Sequence, residues 1–191
     1  SIFMLSSCGQ TAGGSGSESG NGSDGLQDVS EDEVAMSKAE MLLSQMTLRE
    51  KVGQMFFIQP ESLRIETEDG KGKADTSSVT EFTEMMAKTL EEYPPGGIII
   101  FGGNIESPDQ LKELVNDIKA DSRIPLFMGI DEEGGMVARI ANSPGFNVKK
   151  FESMQKIGST KDPKNAEEAG KVIGEYLRDY GFNLDFAPVA D

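Results

Sequence analysis

The sequence predicts an α/β fold built on a parallel sheet, and three observations carry that prediction. Short apolar runs recur at residues 52–58, 96–101, 124–130 and 183–189, with segments of helical periodicity between them. The third run, Ile124 to Ile130, holds no charge and suits a strand buried on both faces, as parallel sheets require. It then turns abruptly into Asp131, Glu132 and Glu133, the pair Gly134–Gly135, and Arg139. Core packing does not explain that change, whereas a site at the carboxyl end of a parallel sheet does. Four strands can make a small open sheet or half of a (β/α)8 barrel, which takes ~250 residues when whole. A last strand with no helix behind it favours the N-terminal half of a (β/α)8 TIM barrel, incomplete in this chain.

Composition narrows the function classes. Eighteen basic against 33 acidic residues give 191 residues a net charge of −15. No nucleic-acid partner is expected, because such surfaces need basic stripes. A single cysteine excludes an intrachain disulfide framework and a multi-cysteine zinc site. The absence of histidine excludes a Ser-His-Asp or Cys-His centre within these residues. No metal or cofactor is expected, and Gly102–Gly103 matches neither a dinucleotide nor a P-loop spacing. No apolar segment approaches the ~20 residues that span a bilayer.

In chain order, residues 1–8 resemble the end of a bacterial lipoprotein signal, with Leu5, Ser6, Ser7 and Cys8 as the lipobox. Cys8 is then the lipidation site, and acyl chains tether the protein to the membrane on the extracytoplasmic cell surface. The competing reading is an ordinary free thiol. Residues 9–30 are Gly, Ser and acidic groups with almost nothing to bury, a flexible linker. The globular part is expected over 31–191. Met36, Ala39, Leu43 and Met46 space out as an amphipathic helix over 33–46, and Thr47 to Glu50 has capping-box spacing. Residues 52–58 read as the first strand, its boundary with the preceding helix left open, and 60–79 as a polar loop nearly devoid of core residues.

Phe82, Met85, Met86 and Leu90 form the next helical stripe, stopped by Pro94–Pro95. The second strand, 96–101, leaves through the tight turn of Gly102 and Gly103. Ser107 and Pro108 supply an N-cap and first-turn proline for a helix carrying Leu111, Leu114, Val115 and Ile118. After the third strand, residues 141–159 read as irregular. Asp162–Pro163 opens a helix with Ala169, Ile173, Tyr176, Leu177 and Tyr180 inside, and Gly181 stops it. Asp185, on the otherwise apolar fourth strand, needs a partner if buried.

Ile130 to Arg139, in the pattern Asp-x-Glu-Gly-Gly-x-Val-x-Arg, resembles glycoside hydrolase family 3, in the branch of bacterial β-N-acetylhexosaminidases. Met46 to Met55, Gly96 to Phe101 and Asn183 to Asp191 match the same family in the same order. The resemblance implies a (β/α)8 domain that removes terminal β-linked N-acetylglucosamine by a retaining mechanism, often from cell-wall material. It implies that Asp131 holds sugar hydroxyls, that Arg139 contributes to the substrate site, and that Asp191 lines the pocket. The family's nucleophile and loop histidine lie C-terminal to the matched segment, so no catalytic residue is expected here and the 191 residues alone are expected to be inactive.

The chemistry of these side chains agrees with a gripping role. A carboxylate accepts from two adjacent hydroxyls, and a guanidinium donates in a fixed fork. Gly134 and Gly135 would let backbone approach a sugar ring. Structural alternatives stay open: Asp131 as a capping or salt-bridged strand-exit residue, Arg139 as an ion-pair partner of Glu133, and Asp191 as purely structural. Asp131 and Glu133 make a poor catalytic pair, because parallel neighbours on one strand leave no cleft for a scissile bond. A β-glucosidase-type exo-glycosidase and a non-catalytic sugar-binding surface lipoprotein remain the alternatives.

Overall fold

The computed structural model describes residues 3–4, 31–64 and 77–190. Cys8, the linker over 9–30, most of the polar loop and Asp191 lie outside the described residues.

A five-stranded sheet carries the chain, with strands β1 (Phe3–Met4), β2 (Phe57–Ile58), β3 (Gly97–Ile100), β4 (Phe127–Ile130) and β7 (Leu184–Asp185) in the spatial order β1-β7-β4-β3-β2. β2, β3, β4 and β7 are parallel, and β1 pairs antiparallel on the β7 edge. The parallel strands stand beside one another in their order along the chain. A doubly wound sheet reverses its order at a switch point, whereas a barrel adds each strand to the same side. The partial barrel is therefore what forms.

Parallel register sorts the side chains between two faces. Ile58, Ile98 and Met128 lie level with one another, as do Ile100 and Ile130 one step further on. They pack with Met86 and Leu90 of α3 (Glu84–Glu92), Leu111, Leu114, Val115 and Ile118 of α4 (Pro108–Asp121), and Ile173 and Leu177 of α6 (Pro163–Asp179). The opposite face carries an aromatic layer. Phe57 stacks on Phe127 with ring centroids 6.1 Å apart and meets Phe186 edge-on at 5.6 Å. Gly129 makes room for it, since a Cβ there would sit 2.6 Å from the Phe186 ring.

The caps form as the sequence predicts. Thr47 and Glu50 close a capping box on α2 (Leu48–Gly53), and Ser107 and Gln110 close another on α4. Gly181, at φ +86°, ends α6. Five expectations need correction. The predicted first strand begins late, because the helix opened by the Thr47 cap runs through Val52 and a turn follows it, leaving only Phe57–Ile58 extended. Leu63 and Val79, in the stretch read as a loop nearly devoid of core residues, are buried, and residues Pro60–Leu63 form a 3-10 turn. The irregular stretch after β4 contains α5 (Met154–Ser159), capped by Ser153. The fourth strand is short, since Pro188 has no N–H to continue a ladder. Helix α1 (Glu31–Gln45) forms, but Met36 and Leu43 are 65% and 54% exposed. Met41 and Leu42 spread apolar groups round α1 and leave it no single buried face.

Candidate active site

The acidic stretch after β4 folds into a structure that alternation alone does not foretell: a small antiparallel hairpin of β5 (Glu132–Gly134) and β6 (Val137–Ala138). Glu132 lies opposite Ala138, and the register slips between Glu132 and Gly134. Gly134 and Gly135 turn the corner at φ +85° and +63°, which side-chain-bearing residues adopt only at a cost. The glycine pair does not wait for a sugar ring. A Cβ on Gly134 would stand 2.7 Å from the Glu152 carbonyl oxygen, and Gly135 N–H donates to the Phe151 carbonyl at 2.9 Å. Segment 151–153 already occupies that space.

The hairpin returns the chain to its starting point. Arg139 N–H reaches the Asp131 carbonyl at 3.4 Å, and Arg139 Nη2 donates to Asp131 Oδ2 at 2.8 Å. The two side chains are 30% and 19% exposed, so they are reachable without being fully solvated. Asp131 is the first residue past β4 and Phe101 the first past β3, which places both on the aromatic face at the carboxyl end of the sheet. The Arg139 guanidinium lies over the Phe101 ring, 5.4 Å from its centroid. Among the described residues, Asp131 Oδ1 has no donor, and the buried Arg139 Nε has no acceptor. An open carboxylate oxygen beside a fixed cation can take a hydroxyl group.

Two predicted site residues, Asp131 and Arg139, are thus brought together, and the third, Asp191, lies outside the described residues. The alternative pairing of Arg139 with Glu133 does not form, because the hairpin returns Arg139 to Asp131. Sequence reasoning also passed over Glu132. It is fully buried and accepts from Ile140 N–H at 2.8 Å, Ala141 N–H at 2.9 Å and the Tyr176 hydroxyl at 2.8 Å. Glu132 therefore pins the hairpin to α6. Burial, with the Glu132 charge beside it, pushes the Tyr176 hydroxyl's pKa far up, so it stays a donor. Nothing beside Glu132 in the sequence signals this role, since its partner Tyr176 lies 44 residues on, in α6. Phe101 was the other omission.

Asp185 lies level with Ile130 and is buried on the helix-facing side. Its Oδ1 accepts from the Glu132 N–H at 2.9 Å, the partner its position demanded. Burial raises its pKa to about 6 against that hydrogen bond, with Glu132, Asp131 and Glu133 adding repulsion.

Residues 47–191 match the glycosyl hydrolase family 3 N-terminal domain. A β-hexosaminidase of Methylobacillus flagellatus is 37% identical over 118 residues, covering 59% of this chain and 33% of that protein. The structure of a glycoside hydrolase family 3 β-N-acetylglucosaminidase from Paenibacillus sp. str. FPU-7 superposes with a TM-score of 0.60 at 29% identity, over 75% of this chain and 24% of that one. NagZ from Neisseria gonorrhoeae in complex with N-trifluoroacetyl-D-glucosamine superposes at 0.51 and 26% identity, over 69% of this chain and 35% of that one. The chain spans about a third of the length of the Methylobacillus relative.

Proposed function

This chain belongs to glycosyl hydrolase family 3, and from that membership we propose that the protein is a retaining exo-glycosidase releasing terminal β-linked N-acetylglucosamine. The observation that carries the reading is the Asp131–Arg139 pair at the carboxyl end of β4, with one carboxylate oxygen open. Relatives described as β-hexosaminidases, and a neighbour holding an N-acylated glucosamine, support the amino-sugar class.

In this reading Asp131 Oδ1 accepts a sugar hydroxyl and Arg139 donates to the same ring, with Asp191 as a further pocket contact. The retaining reaction also needs a nucleophile and an acid/base whose carboxyl groups stand ~5–5.5 Å apart. Three carboxylates near this site already have other tasks: Asp131 holds Arg139, Glu132 accepts from three donors, and Asp185 accepts from the Glu132 N–H on the helix-facing side. We assign neither role to Asp131, Glu132 or Asp185, and expect residues 1–191 alone to hydrolyse no glycoside. Release of nitrophenol by the intact protein from its N-acetylglucosaminide, well above that from its glucoside, is the expected result. The opposite preference would overturn the substrate assignment, and sugar binding without cleavage would overturn the enzymatic one.

Attachment through Cys8 is proposed on the sequence of residues 1–8. Labelled palmitate should enter the wild-type protein in a bacterial host and be absent from Cys8→Ser; equal labelling would refute it.

A further inference from the structure

We propose that Phe101 is the positioning residue of the sugar-gripping arginine, its ring face fixing the Arg139 guanidinium for Asp131 and for substrate. The proposal rests on the assignment of Asp131 and Arg139 to the sugar site. A single hydrogen bond, from Nη2 to one oxygen of Asp131, leaves a guanidinium free to swing about that contact. Of its other two nitrogens, Nη1 makes no hydrogen bond among the described residues, and Nε is buried without an oxygen or nitrogen acceptor among them. What the guanidinium has is the Phe101 ring, 5.4 Å below its central carbon. An aromatic face attracts a cation electrostatically, and more strongly where water is excluded, as it is around Nε.

The ring is itself held by the fold. Phe101 N–H donates to Asn104 Oδ1 at 2.9 Å, and the buried Asn104 donates from Nδ2 to Glu61 Oε1 at 2.7 Å and to the Val79 carbonyl at 3.0 Å. The turn after β3 is thus anchored to Glu61 and Val79, which lie on either side of residues 65–76 in the sequence. This gives Asn104, which contacts neither Asp131 nor Arg139 through a hydrogen bond, a task at the site: it keeps Phe101 level with the end of β4. Asp131 comes from β4, its cation from the β5–β6 hairpin, and the platform under that cation from β3.

The test uses the intact protein with Phe101 replaced by Tyr, by Leu, and by ring-fluorinated phenylalanines that keep the volume while weakening the negative face. Tyrosine should behave as wild type. Leucine and the most fluorinated ring should raise KM for the nitrophenyl N-acetylglucosaminide about 3- to 10-fold with little change in kcat, since a grip on substrate is lost equally from ground and transition states. The Arg139 Nε–Hε proton resonance, assigned by its loss in Arg139→Lys, should lie upfield from the ring current and move downfield in Phe101→Leu. A KM unmoved along the fluorination series, or an Nε–Hε resonance unmoved by leucine, would overturn the proposal. If the protein cleaves no glycoside, the functional assignment fails, and the resonance still decides whether Phe101 positions Arg139. Should leucine prevent folding, the fluorinated series carries the decision.

Discussion

Replacing Glu132 by glutamine tests the claim that this buried carboxylate pins the hairpin to α6. Glutamine keeps the shape and removes one acceptor. With its oxygen at the Oε1 position, it can still accept from Ala141 N–H and the Tyr176 hydroxyl. Its NH2 group then faces Ile140 N–H, which Oε2 accepts at 2.8 Å in the wild type, donor against donor. A hydrogen bond to a charged group contributes ~1.5–3 kcal/mol, and a buried donor left unmade costs a further ~1–3 kcal/mol. The expected loss is therefore roughly 3–5 kcal/mol, a large share of the 5–15 kcal/mol typical of a domain. Urea unfolding of the intact protein reads it as a lower midpoint at unchanged m. Tyr176→Phe removes a different leg of the same network, so the double mutant should lose less than the two singles added. A Glu132→Gln protein within ~0.5 kcal/mol of wild type, or strict additivity with Tyr176→Phe, would refute the argument.

Three more predictions rest on separate contacts. Asp185 has a folded pKa raised to about 6, so its contribution to stability is full below pH ~4 and lost as pH rises through 6. Asp185→Asn, which still accepts from Glu132 N–H, should equal or exceed wild-type stability at pH 7.5 and flatten the decline between pH 4 and 7; a loss at pH 7.5 as large as at pH 4 would contradict this. Gly134→Ala meets both a positive φ and the Glu152 carbonyl 2.7 Å away, and should lower the unfolding free energy by about 1–3 kcal/mol; a neutral change in Tm would show that the hairpin yields. Asp131→Ala removes the acceptor for sugar and the partner of Arg139, and should cost ~1.5–3 kcal/mol in kcat/KM; wild-type kinetics would exclude Asp131 from the site.

Much of the fold was legible because its signals are local. Thr47, Ser107 and Gly181 mark helix ends by chemistry that acts within four residues, and the stripe of α4 is buried as its spacing requires. The boundary within residues 52–58 was not legible because an apolar run of that length serves a helix and a strand equally, and the cap at Thr47 decided the matter. Asp131 and Arg139 were legible as a pair of chemical types, but their partnership was not. It depends on a register slip and two positive-φ glycines, which return the chain so that Arg139 meets Asp131. Glu132 was hidden because its meaning comes from Tyr176, 44 residues later.

The hairpin also bears on how such a site can be moved. Asp131 and Arg139 are only eight residues apart, so the ion pair is complete within one short loop and travels with it. The loop's side-chain attachment to a neighbouring helix is the hydroxyl of Tyr176. Residues 131–141 are in this sense a cassette with few external partners: Tyr176, Asp185 under the Glu132 N–H, the Phe151 carbonyl under the Gly135 N–H, and the Phe101 ring. A graft after the equivalent strand of another barrel would need those partners supplied with it for the grip to survive.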